Sequence, residues 1–235
     1  MRLDKFVSDA AAMPRSVSRK AIKGGRVCVG DETVKDIAFQ VNEDSAVFLD
    51  KKEITYKKFV YIMLNKPQGY VSATEDRKQQ TVLELLDPSY VRYQLFPVGR
   101  LDIDTEGFLL LTNDGELAHN ILSPSKNVGK TYFLRLEHDI TDSEIGILEQ
   151  GVDIGECVTK PAAAQRVAAD EIYLTITEGK FHQIKRMAKA VGNAVTYLKR
   201  VAYGDFYLDE TLEKGSYREL FKEEVEKLCN VYKRK

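Results

Sequence analysis

Cysteine and histidine are scarce in this 235-residue chain, and neither is clustered. The three cysteines, Cys28, Cys157 and Cys229, are odd in number, lie far apart and form no CxxC pair. That pattern argues against a zinc knuckle or a dithiol redox centre and leaves buried free thiols as the expectation. His119, His138 and His182 are too scattered to nominate a metal site. With no glycine-rich nucleotide loop either, neither a metal nor a cofactor is expected. No apolar run approaches the roughly 20 residues that a membrane helix needs. The start, Met1-Arg2-Leu3-Asp4-Lys5, lacks the apolar stretch of a signal peptide. A soluble, cytoplasmic protein without membrane contact is therefore expected, and 43 % hydrophobic residues suffice for one large or two modest cores.

Net charge is also nearly lacking, at −1, but the charges are segregated along the chain. Residues 1–30 carry seven Lys/Arg against Asp4 and Asp9, whereas residues 31–50 carry Lys35 against six acids. Between Gly179 and Gly204 there are six Lys/Arg and no acid. Two basic stretches separated in sequence can grip a phosphate backbone at two points.

The first segment has apolar residues at helical spacing, Leu3, Phe6, Val7 and Ala10, and Met13-Pro14 should stop it. Ser16 fits an N-cap for a second helix. That helix would turn Val17, Ala21 and Ile22 inward and Arg15, Arg19, Lys20 and Lys23 outward, ending at Gly24-Gly25. Two strand-like runs around Gly30-Asp31 predict a hairpin. This order resembles the S4 RNA-binding domain, over residues 1–48. The resemblance implies that Arg15, Arg19, Lys20 and Lys23 contact RNA. The charged stretch 49–58 is expected to be a linker, and residues 59–235 a second domain. There, strand-like runs (Phe59 to Leu64, Phe108 to Leu111, Thr131 to Leu136, Glu171 to Thr177) alternate with helix-like ones (Val82 to Leu86, Glu116 to Leu122, Asp142 to Gln150, Lys185 to Ala190). The expected class is α+β on a mainly antiparallel sheet. The tail from Val231 to Lys235 is expected to be frayed and basic.

The densest chemistry lies in Gly99-Arg100-Leu101-Asp102-Ile103-Asp104-Thr105-Glu106-Gly107, which leads into Phe108 to Leu111. Two carboxylates two residues apart, beside an arginine and between glycines, suit a sharply turned loop anchored by an apolar strand. Such a cluster needs cations or donors and occurs both in structural ion pairs and at catalytic sites. The stretch Gly99 to Gly115 resembles the GRLDxDTxGLLLLTNDG signature of the RNA pseudouridine synthases of the small-subunit rRNA type. Asn65-Lys66-Pro67-Gln68-Gly69, Lys130-Thr131-Tyr132 and Glu178-Gly179-Lys180-Phe181-His182-Gln183-Ile184-Lys185-Arg186-Met187 resemble three further blocks of that family, in the same order.

The resemblance implies isomerisation of a uridine in 16S rRNA, by a monomer that uses no cofactor and no small-molecule substrate. A sister enzyme of 23S rRNA is the nearest alternative, and a non-catalytic rRNA-binding assembly factor is the alternative from another class. Asp102 maps onto the catalytic aspartate, a carboxylate able to act as nucleophile or as base. Lys185 is the expected cation that keeps it charged, and Tyr132 the expected active-site tyrosine. Arg100 is expected to fill the stack left by the flipped base or to hold its phosphate, and Arg186 to hold backbone phosphate, with Lys66 a weaker RNA contact. Asp104 is expected to organise the loop.

Overall fold

The computed structural model describes residues 1–233; Arg234 and Lys235, the end of the expected basic tail, lie outside them. The chain divides into two compact units, Met1–Phe59 with Val91–Tyr93, and Val60–Tyr90 with Gln94 onward.

The first unit comprises α1 (Leu3–Ala10), α2 (Arg15–Lys23), β1 (Val27–Val29), β2 (Glu32–Thr33), β3 (Val47–Leu49) and β4 (Lys52–Ile54). Its four strands run in the order β2-β1-β3-β4, all antiparallel. Leu3, Phe6, Val7, Ala21 and Ile22 from the two helices close over Val27 and Val47. The helix spacing read from sequence thus locates this core. Three expectations here need correction. Helix α2 begins at Arg15 behind Pro14, with no side-chain cap from Ser16. Val17 is 44 % exposed, so only Ala21 and Ile22 of its expected trio point inward. Residues 49–58 are no linker: Asp50 and Lys51 adopt positive φ, as a tight hairpin turn requires, and join β3 to β4. Ile54 and Tyr56 then pack against the helices.

The second unit comprises β5 (Tyr61–Lys66), β6 (Phe96–Pro97), β7 (Glu106–Thr112), α3 (Gly115–Leu122), β8 (Lys130–Leu136), α4 (Asp142–Gln150), β9 (Ala163–Arg166) and β10 (Glu171–Ile176). It continues with α5 (Gln183–Ala190), β11 (Val195–Tyr203), β12 (Phe206–Tyr207), β13 (Tyr217–Glu219) and α6 (Lys222–Val231). Its sheet runs β13-β5-β7-β11-β8-β10-β9, with β12 beside β11 and β6 beside β7. All pairings are antiparallel except β7 with β11, which are parallel. Strand β7 is buried at every position, which is why its sequence is a continuous apolar run and not an alternating one. Strands β8 and β10 alternate instead, burying Tyr132, Leu134, Ile172 and Leu174 on one face. At the parallel seam Gly107 has φ +99, and a Cβ there would lie 2.2 Å from the Arg200 carbonyl oxygen. Only glycine lets the backbones approach this closely.

Two further expectations fail in this unit. Val82–Leu85 is a single 3₁₀ turn, and Val231 and Tyr232 pack on the core beside Leu228 instead of fraying. The three cysteines are free, as expected, but half-buried.

Candidate active site

The loop between β6 and β7 is pinned by its backbone. Ser72 Oγ lies 3.0 Å from the Leu101 amide and 2.9 Å from its carbonyl, and the Gly69 amide donates to the Ile103 carbonyl at 2.8 Å. Lys66 completes the clamp. Its side chain is fully buried, and its ammonium donates to the carbonyls of Pro67 (3.1 Å), Asp102 (3.0 Å) and Thr105 (2.9 Å). The expected RNA contact for Lys66 is therefore wrong: β5 ends directly beneath the loop, and the cation is spent on backbone oxygens. Burial lowers its pKa to about 8, against the opposing pull of the Asp104, Asp102 and Glu106 carboxylates.

This clamp presents Asp102 and Asp104 to a cavity of about 780 Å³ that also receives Arg100, Tyr132, Lys185 and Arg200. The cations come from α5 and β11. Helix α5 buries Ile184, Met187 and Ala188. That packing turns Lys185 toward the loop, and His182, the left-handed N-cap residue just outside the helix, reaches the same loop from the preceding turn. Lys185 Nζ lies 3.5 Å from Asp102 Oδ2 but 2.6 and 2.8 Å from the two oxygens of Asp104. The expected Asp102 partner is thus shared, with its direct hydrogen bonds going to Asp104. Burial would raise the Asp104 pKa, but the Lys185 hydrogen bond and charge outweigh it and hold this carboxyl below its usual range. The second oxygen of Asp102 lies 3.6 Å from His182 Nε2.

Tyr132 projects from the buried face of β8 and is 8 % exposed; its hydroxyl lies 3.5 Å from Arg200 Nη1. Arg200 itself is buried, donates to the Phe108 carbonyl at 2.8 Å and stacks its guanidinium over the Tyr203 ring at 4.5 Å. Among the described residues its Nη2 has no protein partner. Lys130, also buried, donates to the Val128 carbonyl at 3.1 Å. Burial, with Arg200 and Lys160 nearby, lowers its pKa to about 8. The site therefore sets the half-buried Asp102 and the exposed Asp104 against the buried cations Arg200 and Lys130, an arrangement suited to hold an anionic group ionised.

The remaining expected contacts divide. Arg100 is exposed at the cavity. Arg186 is not available for phosphate: its guanidinium donates to the Ile154 carbonyl, to Glu156 at 2.8 Å and to the Phe181 carbonyl at 3.2 Å. Lying next to Lys185 on the helix, it points away from the cavity and ties the turn before α5 to the 154–156 loop. In the first unit, Lys20 and Lys23 are exposed, whereas Arg15 and Arg19 reach back to the fully buried Asp4 at 3.1 and 2.8 Å, joined by Arg2 at 3.1 Å. Burial would raise the Asp4 pKa, but hydrogen bonds from Arg2, Arg19 and Arg15 hold it well below the carboxylate range. The two arginine side chains remain about half exposed. His182 and Arg200 escaped the sequence analysis. A lone histidine carries little signal, and its left-handed position ahead of α5 follows from the fold and not from helix periodicity. Arg200 was counted only within a charge run, although the alternation around it marks a strand whose even positions turn inward.

A family model for RNA pseudouridylate synthase matches residues 60–190, and one for the S4 domain matches residues 1–47. An uncharacterized RNA pseudouridine synthase of Bacillus subtilis is 50 % identical across 96 % of this chain and 97 % of its own length. The ribosomal small subunit pseudouridine synthase A of Escherichia coli is 40 % identical, over 96 % of this chain and 98 % of its own. The crystal structure of a pseudouridylate synthase aligns with a TM-score of 0.68 at 37 % identity, covering 97 % of this chain and 99 % of that one.

Proposed function

Because the chain belongs to the RNA pseudouridylate synthase family and carries an S4 domain, we propose that it converts one specific uridine of 16S small-subunit rRNA to pseudouridine. The observation that carries the choice of RNA is the similarity to the Escherichia coli small-subunit enzyme through both units, end to end, at 40 % identity. The reaction is an isomerisation. The bond from N1 to the ribose breaks, the uracil turns, and C5 joins the same ribose carbon; the proton lost from C5 is balanced by one gained at N1. Nothing else enters or leaves.

Asp102 performs the central step, as nucleophile or as base, with Lys185 keeping the negative charge in place through both loop carboxylates. Tyr132 offers a ring for the base and a hydroxyl for a proton. A stacked uridine must leave its helix to reach this pocket, at an unstacking cost of a few kcal/mol. Arg100 at the cavity and the exposed cations Lys20 and Lys23, with the half-exposed Arg15 and Arg19, offset that cost through phosphate contacts. The protein works as a cytoplasmic monomer during assembly of the small subunit.

Mapping pseudouridines in rRNA from cells with and without the gene tests this reading. One 16S position should lose its modification and regain it when the gene is restored, but not when Asp102→Asn is restored in its place. Loss at a 23S position would instead make the chain a large-subunit enzyme, and an active Asp102→Asn protein would remove Asp102 from the chemistry.

A further inference from the structure

Phe181 is a large aromatic ring that is 72 % exposed at the edge of the catalytic cavity. Exposed phenylalanines are common, but this one is held. Its ring stacks on His182 with centroids 3.8 Å apart and planes 21° from parallel, and that histidine contacts Asp102. The turn that carries it is fastened at every step. Gln183 accepts from the Lys180 amide at 2.9 Å and donates to Glu178 at 3.0 Å, Glu178 accepts from the Lys160 amide at 2.9 Å, and Arg186 grips the Phe181 carbonyl. His182 adopts φ +48, a left-handed conformation that a non-glycine residue keeps only when its surroundings enforce it.

We infer that Phe181 is a base-stacking platform for a nucleotide flanking the target uridine, which extends the proposed function and rests on it. One face of the ring is covered by His182, and the other is open. His182 contacts Asp102 and stacks on Phe181, so Phe181 is linked to the carboxylate through the imidazole and is offered to a neighbouring base and not to the reacting one. A flat, apolar face fixed in advance at that position loses little freedom when a base lies on it, and aromatic side chains bind unstacked bases in this way. Such a contact selects for a splayed-out strand around the uridine and not for base identity.

The chain contains no tryptophan, so a substituted indole reports without background. Phe181→Trp is titrated with unmodified transcripts of 16S and 23S rRNA, in parallel with Tyr207→Trp. Tyr207 is 63 % exposed beside Thr131 and Phe133, on the sheet face opposite Tyr132. Binding of each transcript is followed independently by filter retention. Quenching at position 181 and not at 207 is expected, whichever transcript carries the substrate. Phe181→Leu should raise KM by about five- to 150-fold, the range for losing one stacked base. Phe181→Tyr should restore most of that loss, and the melting temperature of all three should stay near that of the parent. Unquenched fluorescence with RNA bound, equal quenching at both positions, or an unchanged KM in Phe181→Leu would overturn the platform. Quenching by 23S rRNA with turnover on 23S alone would overturn the 16S assignment and leave the platform standing. Absence of binding to either transcript would overturn both.

Discussion

The ammonium of Lys66 donates to the backbone carbonyl of Asp102 at 3.0 Å, across 36 residues of sequence. It fixes the peptide that carries the Asp102 carboxylate without touching the carboxylate itself. Lys66→Met should therefore leave the carbonyls of Asp102 and Thr105 without their donor, costing about 1–3 kcal/mol of stability near pH 7 and loosening the loop. The pH dependence has a defined sign. The Lys66 pKa falls from 10.5 to about 8 on folding, so between those values the unfolded chain binds more protons and stability rises with pH. Urea unfolding from pH 7 to 10.5 should show this rise in the parent, with a smaller rise in Lys66→Met. Parallel curves would place the titration elsewhere.

Lys185 serves two carboxylates at once, and that makes its loss separable from loss of a phosphate contact. Lys185→Met should lower the single-turnover rate at saturating enzyme by about a hundredfold, as removal of one preorganised electrostatic partner does. Asp104→Asn, which frees Lys185 for Asp102, should cost far less than Asp102→Asn. Lys189→Met, one turn further on, should change RNA affinity with little effect on that rate. Equal losses in the two lysine variants would mean that Lys185 is one more phosphate contact.

Lys20 and Lys23 are exposed cations of α2, and the salt dependence of RNA binding tests them. Replacing both with Gln should weaken binding and reduce the slope of log K against log salt by about 0.7–0.9 for each lost contact. A slope that stays put would mean that this face meets only solvent.

Asp4 is buried beneath Arg2, Arg15 and Arg19, and its depressed pKa makes the first unit acid-sensitive. Stability from this group is fully present above the ordinary carboxylate pKa of about 4 and is lost as pH falls below it. Asp4→Asn should destabilise the unit by about 3 kcal/mol at pH 7, because three cations lose their shared acceptor. Hydrogen exchange of amides 3–49 between pH 3 and 7 should show the parent losing protection toward acid and the variant changing less.

Much of this was readable in the sequence. The 3.6-residue spacing of Leu3, Phe6 and Val7 located the first core, and the run Phe108 to Leu111 located the central strand. The loop that bears Asp102 declared itself through its density of charge. What stayed hidden was decided by partners distant along the chain. Lys66 looks like an exposed cation after a strand until the loop 36 residues later folds over it. Lys199 and Arg200 disguise β11, the longest strand, because a charged pair breaks its apolar appearance while Arg200 finds acceptors inside the core. Arg186 belongs to a helix that was recognised, yet the carbonyl it binds at Ile154 lies 32 residues before it.

The parallel pairing of β7 with β11 fixes when the enzyme can come to life. The carboxylates precede β7 and their cations arrive with α5 and β11, so 81 residues separate Asp104 from Lys185. At synthesis rates of about 5–20 residues per second, the acidic loop leaves the ribosome several seconds before its counter-charges. A chain stopped anywhere in that interval holds the complete first unit and the acidic loop, but no assembled pocket. Under the proposed function, such an unfinished copy is expected to bind RNA through its first unit without rewriting a base.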